Sequence, residues 1–259
     1  MPLGGWFAAL RARLFSVRAI PDPIWRDALA AAPLCAALDG ARQQRLRVLC
    51  AQFLAHKRFS AEAGAQLDDL RCLLIAQQAC LPVLELGFAA LHGWREVIVY
   101  PGEFRVRHPR QDRSTGVITE QDETLIGEAW ARGPVVLSWA SVSHDLAHPH
   151  DGFNVVVHEI AHKLDQLDGA MDGVPALPPG LSRHVWLDVF QRAFDHLQRQ
   201  LDNGQHGAID AYAATNPEEY FAVTSELHFS RPVQLAQAAP EVARLLTGLY
   251  GAPPAALVP

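Results

Sequence analysis

The chain has 259 residues, of which 49% are apolar, and a mean hydropathy of +0.03, enough to bury a sizeable core. A formal charge of −6 and a pI near 6.0 argue against a nucleic-acid or anionic-membrane surface, both of which need clustered Lys and Arg. No apolar run approaches the roughly 20 residues of a membrane span. The stretch Trp6 to Leu10 is interrupted by Arg11, Arg13 and Arg18 before a secretory segment could form.

Residues 23 to 92 read as helical. Leu46, Leu49, Cys50, Phe53 and Leu54 repeat on one face at helical spacing and form a core stripe. Leu67 to Leu81 is apolar on more than one face and stops at Pro82, the pattern of a buried helix. Cys35, Cys50, Cys72 and Cys80 match neither a metal knuckle nor a dense disulfide framework. They are expected as free, mostly buried thiols, which points to a reducing compartment, the cytoplasm.

From Glu96 the character changes. Val97 to Tyr100 is β-branched and aromatic, Pro101-Gly102 reads as a turn, and Phe104 to Arg107 alternates, so two paired strands are expected. His108 to Thr124 reads as a long loop or loose hairpin, and Val135 to Trp139 as a strand. Ser141 to Gly152 has the Pro and Asp content of a surface loop, in which His144, His148 and His150 are expected to be solvated.

The chemistry follows. Asn154 to Asp165 carries His158-Glu159-Ile160-Ala161-His162 within helical periodicity. Two histidines four residues apart project from one helix face, so both imidazoles can reach a single tetrahedral zinc at about 2.0–2.1 Å. Glu159 lies about 100° round the helix, placed to take a proton from a zinc-activated water without occupying the metal. Gly169 reads as the stop. A hydrolytic zinc takes three protein ligands and leaves a position for water, so one more ligand is needed. Glu218, Glu219 and Glu226 are the candidates downstream, in a helix whose start is marked by Thr215 or Asn216 as cap and Pro217 at its first position.

The segments HEIAHKLDQLDG, GEAWARGPVVLSW and AYAATNPEEYFAVTSELHF resemble the Mlc titration factor A family of zinc peptidases, as do FLAHKRF, LLIAQQACLPVLELG and VIVYPGEF. The resemblance covers most of residues 20 to 235. The catalytic segments resemble lethal-factor-type toxins as well, and more distantly the thermolysin-like zincins. It implies one zinc held by His158, His162 and Glu219, with Glu159 as general base. Tyr212, which its residue type alone would place in the core, is implied to face the zinc and polarise the scissile carbonyl. Helical geometry agrees in part: Glu218 points about 100° from Glu219, and Glu226 shares the face of Glu219 but stands about 10.5 Å further along. Only one of that pair can be the ligand.

Thermolysin-like sites often carry an acid four residues after the third ligand, yet that position is Val223 here. The support that zinc histidines need must come from elsewhere, with Asp165 and Asp168 available in sequence. The resemblance also implies that Val135 to Trp139 is an exposed edge strand able to pair with an extended peptide substrate. A competing role is implied by the family name, capture of a transcriptional repressor protein, with hydrolysis secondary. The expected architecture is α+β, mainly helical and zincin-like, with a small mixed β-sheet between the N-terminal helices and the zinc-binding helices. Residues 1–259 are taken as one peptidase domain: a helical part over 20–92, a catalytic part over 95–250, and a loose tail over 251–259.

Overall fold

A computed structural model of the chain describes residues 19–102, 104–111, 118–125, 127–129, 133–205 and 207–254. The apolar stretch at residues 6–10 and the last five residues of the tail lie outside them. The N-terminal part is helical as expected, with α1 (Asp22–Ala31), α2 (Pro33–Ala36), α3 (Gly40–His56) and α4 (Asp69–Cys80). Asp39 and Asp68 cap α3 and α4 by accepting from the backbone N–H groups of Arg42 and Arg71 at 2.9 and 2.8 Å, satisfying donors that the first turn leaves open. The predicted stripe Leu46, Leu49, Cys50 and Phe53 is buried. All four cysteines are free thiols.

One strand interrupts this part. β1 (Arg58–Ala61) follows α3 directly and pairs in parallel with β2 (Glu96–Tyr100), Arg58 opposite Glu96. Residues 23 to 92 are therefore not helical throughout. The expected hairpin of residues 97–100 with 104–107 does not form either. β2 is enclosed by parallel neighbours on both sides, β1 and β6 (Val135–Ser138), so no place is left for an antiparallel partner. β3 (Phe104–Gln111) pairs instead with β4 (Ile118–Leu125) as a separate antiparallel ribbon, in the region expected as a loose hairpin.

The main sheet runs β1-β2-β6-β5, with β5 (Gly127–Ala129) antiparallel to β6 and Gly127 opposite Leu137. It is small and mixed, as expected. β6 is an interior strand with every residue buried; the edge on its side of the sheet is β5. The segment after it is not the expected loop either, for Trp139–Ala147 forms a helix, α5, capped by Ser138 and fixed by buried Val142 and Asp145.

Among the described residues five further α-helices follow: α6 (Val155–Asp165), α7 (Arg183–Asp202), α8 (Pro217–Ser230), α9 (Pro232–Ala238) and α10 (Pro240–Tyr250). α6 packs along α8, against β5 and β6, and directly on α4. Asn154 Nδ2 donates to Gln78 Oε1 of α4 at 2.7 Å, so the sheet does not separate the N-terminal helices from α6. Trp186, Phe221, Tyr220 and Tyr250 are fully buried between α7, α8 and α10, with Trp186 stacked on Phe190 at 4.4 Å between centroids. No helix among the described residues is long and apolar enough to cross a membrane.

Candidate metal centre

α6 starts where its sequence says it should. Asn154 Oδ1 accepts the N–H of Val157 at 3.0 Å, and the β-branched run Val155, Val156 and Val157 is buried, so hydrophobic packing holds the helix whose own propensity is weak. A 3-10 turn, Gln166–Asp168, ends it, and Gly169 takes the left-handed conformation at φ 95° that a residue without Cβ adopts at least cost. α8 starts with equal definition: Asn216 Oδ1 accepts the N–H of Glu219 at 2.8 Å and Pro217 occupies the first turn. The two helices lie side by side, so the second turn of α6 meets the first turn of α8.

At that meeting point three donor atoms converge. His158 Nε2 and His162 Nε2 are 3.1 Å apart. Glu219 Oε2 lies 3.1 Å from the first and 3.4 Å from the second. Three donors held tetrahedrally at 2.0–2.1 Å by one cation would sit about 3.3–3.4 Å from one another, so His158, His162 and Glu219 have the spacing to hold a single metal ion. This is the only group of three such donors among the described residues. Glu219 Oε2 is buried without a hydrogen bond of normal geometry, although two imidazoles are within reach; lone pairs face one another there.

The other side of His158 explains why. Its Nδ1 is 2.7 Å from Glu226 Oε1. A carboxylate only accepts, so Nδ1 carries the proton and Nε2 presents its lone pair to the centre. Glu226 Oε2 accepts the backbone N–H of Asn154, which uses both oxygens of a side chain only 5% exposed. The support that Val223 cannot give comes from one helical turn further on. Asp165 is not the orienting acid: its Oδ2 accepts the N–H of Gly173 at 3.0 Å. The side chain of Asp168 lies outside the described residues.

The electrostatics call for a positive charge at the centre. Burial works against protonation of His158, but Glu226, Glu219 and Glu159 outweigh it and hold its proton affinity well above the ordinary value. Burial lowers that of His162, helped by the neighbouring His158 and opposed by Glu219. Burial would raise the Glu219 carboxyl, yet the two imidazoles keep it well below the usual carboxylate range.

Glu159 is 2% exposed and close enough to His158 to raise its proton affinity. Tyr212 sits in a 3-10 turn, Ala211–Ala214, fastened by Asp210 accepting its N–H at 2.8 Å and by Thr215 Oγ1 donating to its carbonyl at 2.7 Å. The residue is 51% exposed and its ring centroid is 6.2 Å from that of His158, so it borders the site from the solvent side and is not a core aromatic. His144, His148 and His150 do not join the converging donors. His144 and His148 are exposed on and after α5.

A His–His–Glu donor set on two packed helices, buried on one side and bordered by a tyrosine on the other, defines a metallopeptidase-like protein. Residues 6–251 match the family profile of the glucose-regulated metallo-peptidase M90, and the chain belongs to that family. It is similar to the Mlc titration factor A of Escherichia fergusonii, 38% identical over 238 residues covering 90% of this chain and 87% of that one. It is similar also to the proteins of that name from Salmonella arizonae, 40% identical over 82% of this chain and 83% of that one, and Enterobacter sp. strain 638, 41% identical over 82% and 80%.

Proposed function

We propose that the chain is a zinc-dependent peptidase of the cytoplasm that hydrolyses peptide bonds, with His158, His162 and Glu219 as the zinc ligands. The observation that carries the reading is the triangle of Nε2, Nε2 and Oε2 atoms with edges of 3.1, 3.1 and 3.4 Å. Two nitrogens and one carboxylate oxygen with an open fourth position are the donor set of a hydrolytic zinc. When bound, zinc supplies a Lewis acid and lowers the pKa of a coordinated water toward about 7.

The chain's own groups do the rest. Glu159 accepts the proton of the attacking water and passes it to the leaving amine as the peptide C–N bond breaks. The Tyr212 hydroxyl donates to the oxyanion that develops on the scissile carbonyl. Among the described residues the sheet edge beside α6 is that of β5, since β6 is interior; main-chain pairing of an extended substrate there would lay the scissile bond along the helix.

Glu159→Gln tests the mechanism. The variant is expected to retain about one zinc per chain while losing nearly all cleavage of a peptide library; undiminished turnover would overturn it. The name Mlc titration factor A, borne by the relatives, supports a second reading in which this chain captures a repressor protein and hydrolysis is secondary. Under that reading Glu159→Gln keeps full repressor binding, measured by calorimetry, and the zinc-free protein keeps it too.

A further inference from the structure

We propose that His144 and His148 form a second cation site, separate from the site on α6 and α8, that takes a borderline divalent ion such as Zn2+, Ni2+ or Cu2+. The two residues are four apart, His144 in the last turn of α5 and His148 at its C-cap. Their rings are stacked at 4.3 Å between centroids with 28° between planes. His148 Nδ1 lies 3.0 Å from the carbonyl oxygen of His144. A carbonyl only accepts, so that nitrogen carries the proton and Nε2 keeps its lone pair. His144 Nδ1 lies 3.7 Å from both Asp145 Oδ1 and Asp151 Oδ2, beyond hydrogen-bond distance but close enough for the two carboxylates to favour a cation on the ring. The His148 imidazole is therefore set in the tautomer of a metal ligand, with Nδ1 turned to an acceptor and Nε2 available. With its side chain 59% exposed, His144 is open to an entering ion.

The α6 pair shows that this spacing is sufficient. His158 and His162 are also four residues apart, and their centroids are 4.8 Å apart, wider than the 4.3 Å of the second pair, yet their Nε2 atoms approach to 3.1 Å. Chelation of one ion by both rings requires them to turn out of the stack, which the exposure of both side chains on the surface of α5 permits. Imidazole donors favour Zn2+, Ni2+ and Cu2+ over Mg2+ and Ca2+. With two protein ligands the remaining positions go to water, so the site is weaker and more exchangeable than the three-ligand centre.

The carboxylates beside His144 also fasten the start of α6. Asp145 Oδ2 accepts the N–H of Val155 at 2.7 Å and Asp151 Oδ1 accepts that of Phe153 at 3.0 Å. A cation held by the histidine pair of the folded helix, and more weakly by the unfolded chain, stabilises the folded chain by mass action.

The test uses the full chain loaded with one equivalent of zinc and titrated calorimetrically with NiCl2. Wild type is expected to take up a further equivalent, and the His144→Asn/His148→Asn double variant to bind it at least about tenfold more weakly, with the first zinc retained. His150→Asn should match wild type, because its Nδ1 is engaged with the Ser230 carbonyl at 3.2 Å and the ring lies outside the stack. Excess Ni2+ should raise the melting temperature of wild type more than that of the double variant. With Cu2+ in place of Ni2+, the electron paramagnetic resonance spectrum should show two nitrogen ligands on the additional ion. No further equivalent in wild type, or equal uptake by the folded double variant, overturns the proposal.

Discussion

Glu226→Gln should leave the fold intact and cost the metal centre about 10- to 100-fold in affinity. The carboxylate has two oxygens and two donors facing it, His158 Nδ1 at 2.7 Å and the N–H of Asn154. An amide of the same shape has one oxygen and one NH2, so one donor must lose its acceptor. If the oxygen stays on Asn154, the NH2 faces Nδ1, which must then accept; the imidazole proton moves to Nε2 and occupies the lone pair that the metal needs. If the oxygen stays on His158, two N–H groups oppose each other at the start of α6. Charge-assisted hydrogen bonds contribute about 1.5–3 kcal/mol each, and loss of a partner behind a metal histidine typically costs 10–100-fold in affinity, which is about 1.4–2.8 kcal/mol. The assay is competition for zinc with a chelator of known affinity, alongside thermal melting of the metal-free variant to separate folding from binding. A variant that melts like wild type and binds zinc within about twofold of it would refute the assignment of Glu226 to the orientation of His158.

Glu219→Ala should remove tight zinc binding, while Glu218→Ala, outside the converging donors, should retain it; metal analysis after dialysis distinguishes them. Tyr212→Phe should lower kcat by about 10²–10³ with zinc content unchanged, and an unaltered kcat would leave the tyrosine without a part in the reaction. His228 is 2% exposed, and burial, with Arg42 adding to it against a backbone hydrogen bond at Gly251, lowers its pKa from 6.5 to about 4. The unfolded chain then binds the extra proton between those values, so stability is present above pH 6.5 and is lost as pH falls through about 4, by on the order of 3 kcal/mol. Melting curves of the metal-free protein from pH 7 to 4 should fall more steeply for wild type than for His228→Gln; parallel curves would contradict this.

What could be read from the residues was whatever local chemistry determines. Asn216 as cap, Pro217 in a first turn and Gly169 as a terminator act within a few residues, and all three stand where the pattern places them. The two-turn offset between Glu219 and Glu226 was legible as a shared face; which imidazole nitrogen the second acid meets was not, because that depends on how α8 lies on α6. Non-local pairing was hidden throughout. β1 has four residues and a parallel partner 38 positions away, and nothing in FLAHKRF distinguishes it from the end of α3. Pro101-Gly102 is a sound turn signal, but the hairpin it suggests is one that the parallel neighbours of β2 forbid. α5 was missed because Ser, His and Asp dominate its surface, while the residues that bury it, Val142 and Asp145, are too few to give a clear period.

The distance between α6 and α8 decides whether a carboxylate on one can share a metal with imidazoles on the other, and a glycine at neither helix controls it. Gly173 N–H donates to Asp165 at the end of α6, and its carbonyl accepts from Trp186 Nε1 of α7 at 2.9 Å. Its φ of 76° already disfavours any other residue. A Cβ there would also stand 2.6 Å from the carbonyl oxygen of Pro217, two residues before Glu219. Three helices thus meet on one residue that has no side chain to keep them apart. The close approach places the first turn of α8, and with it Glu219, within reach of the two nitrogens. The His-Glu-x-x-His segment supplies two donors by local spacing alone; the third depends on a turn eleven residues beyond His162, which shows why the motif by itself underdetermines the site.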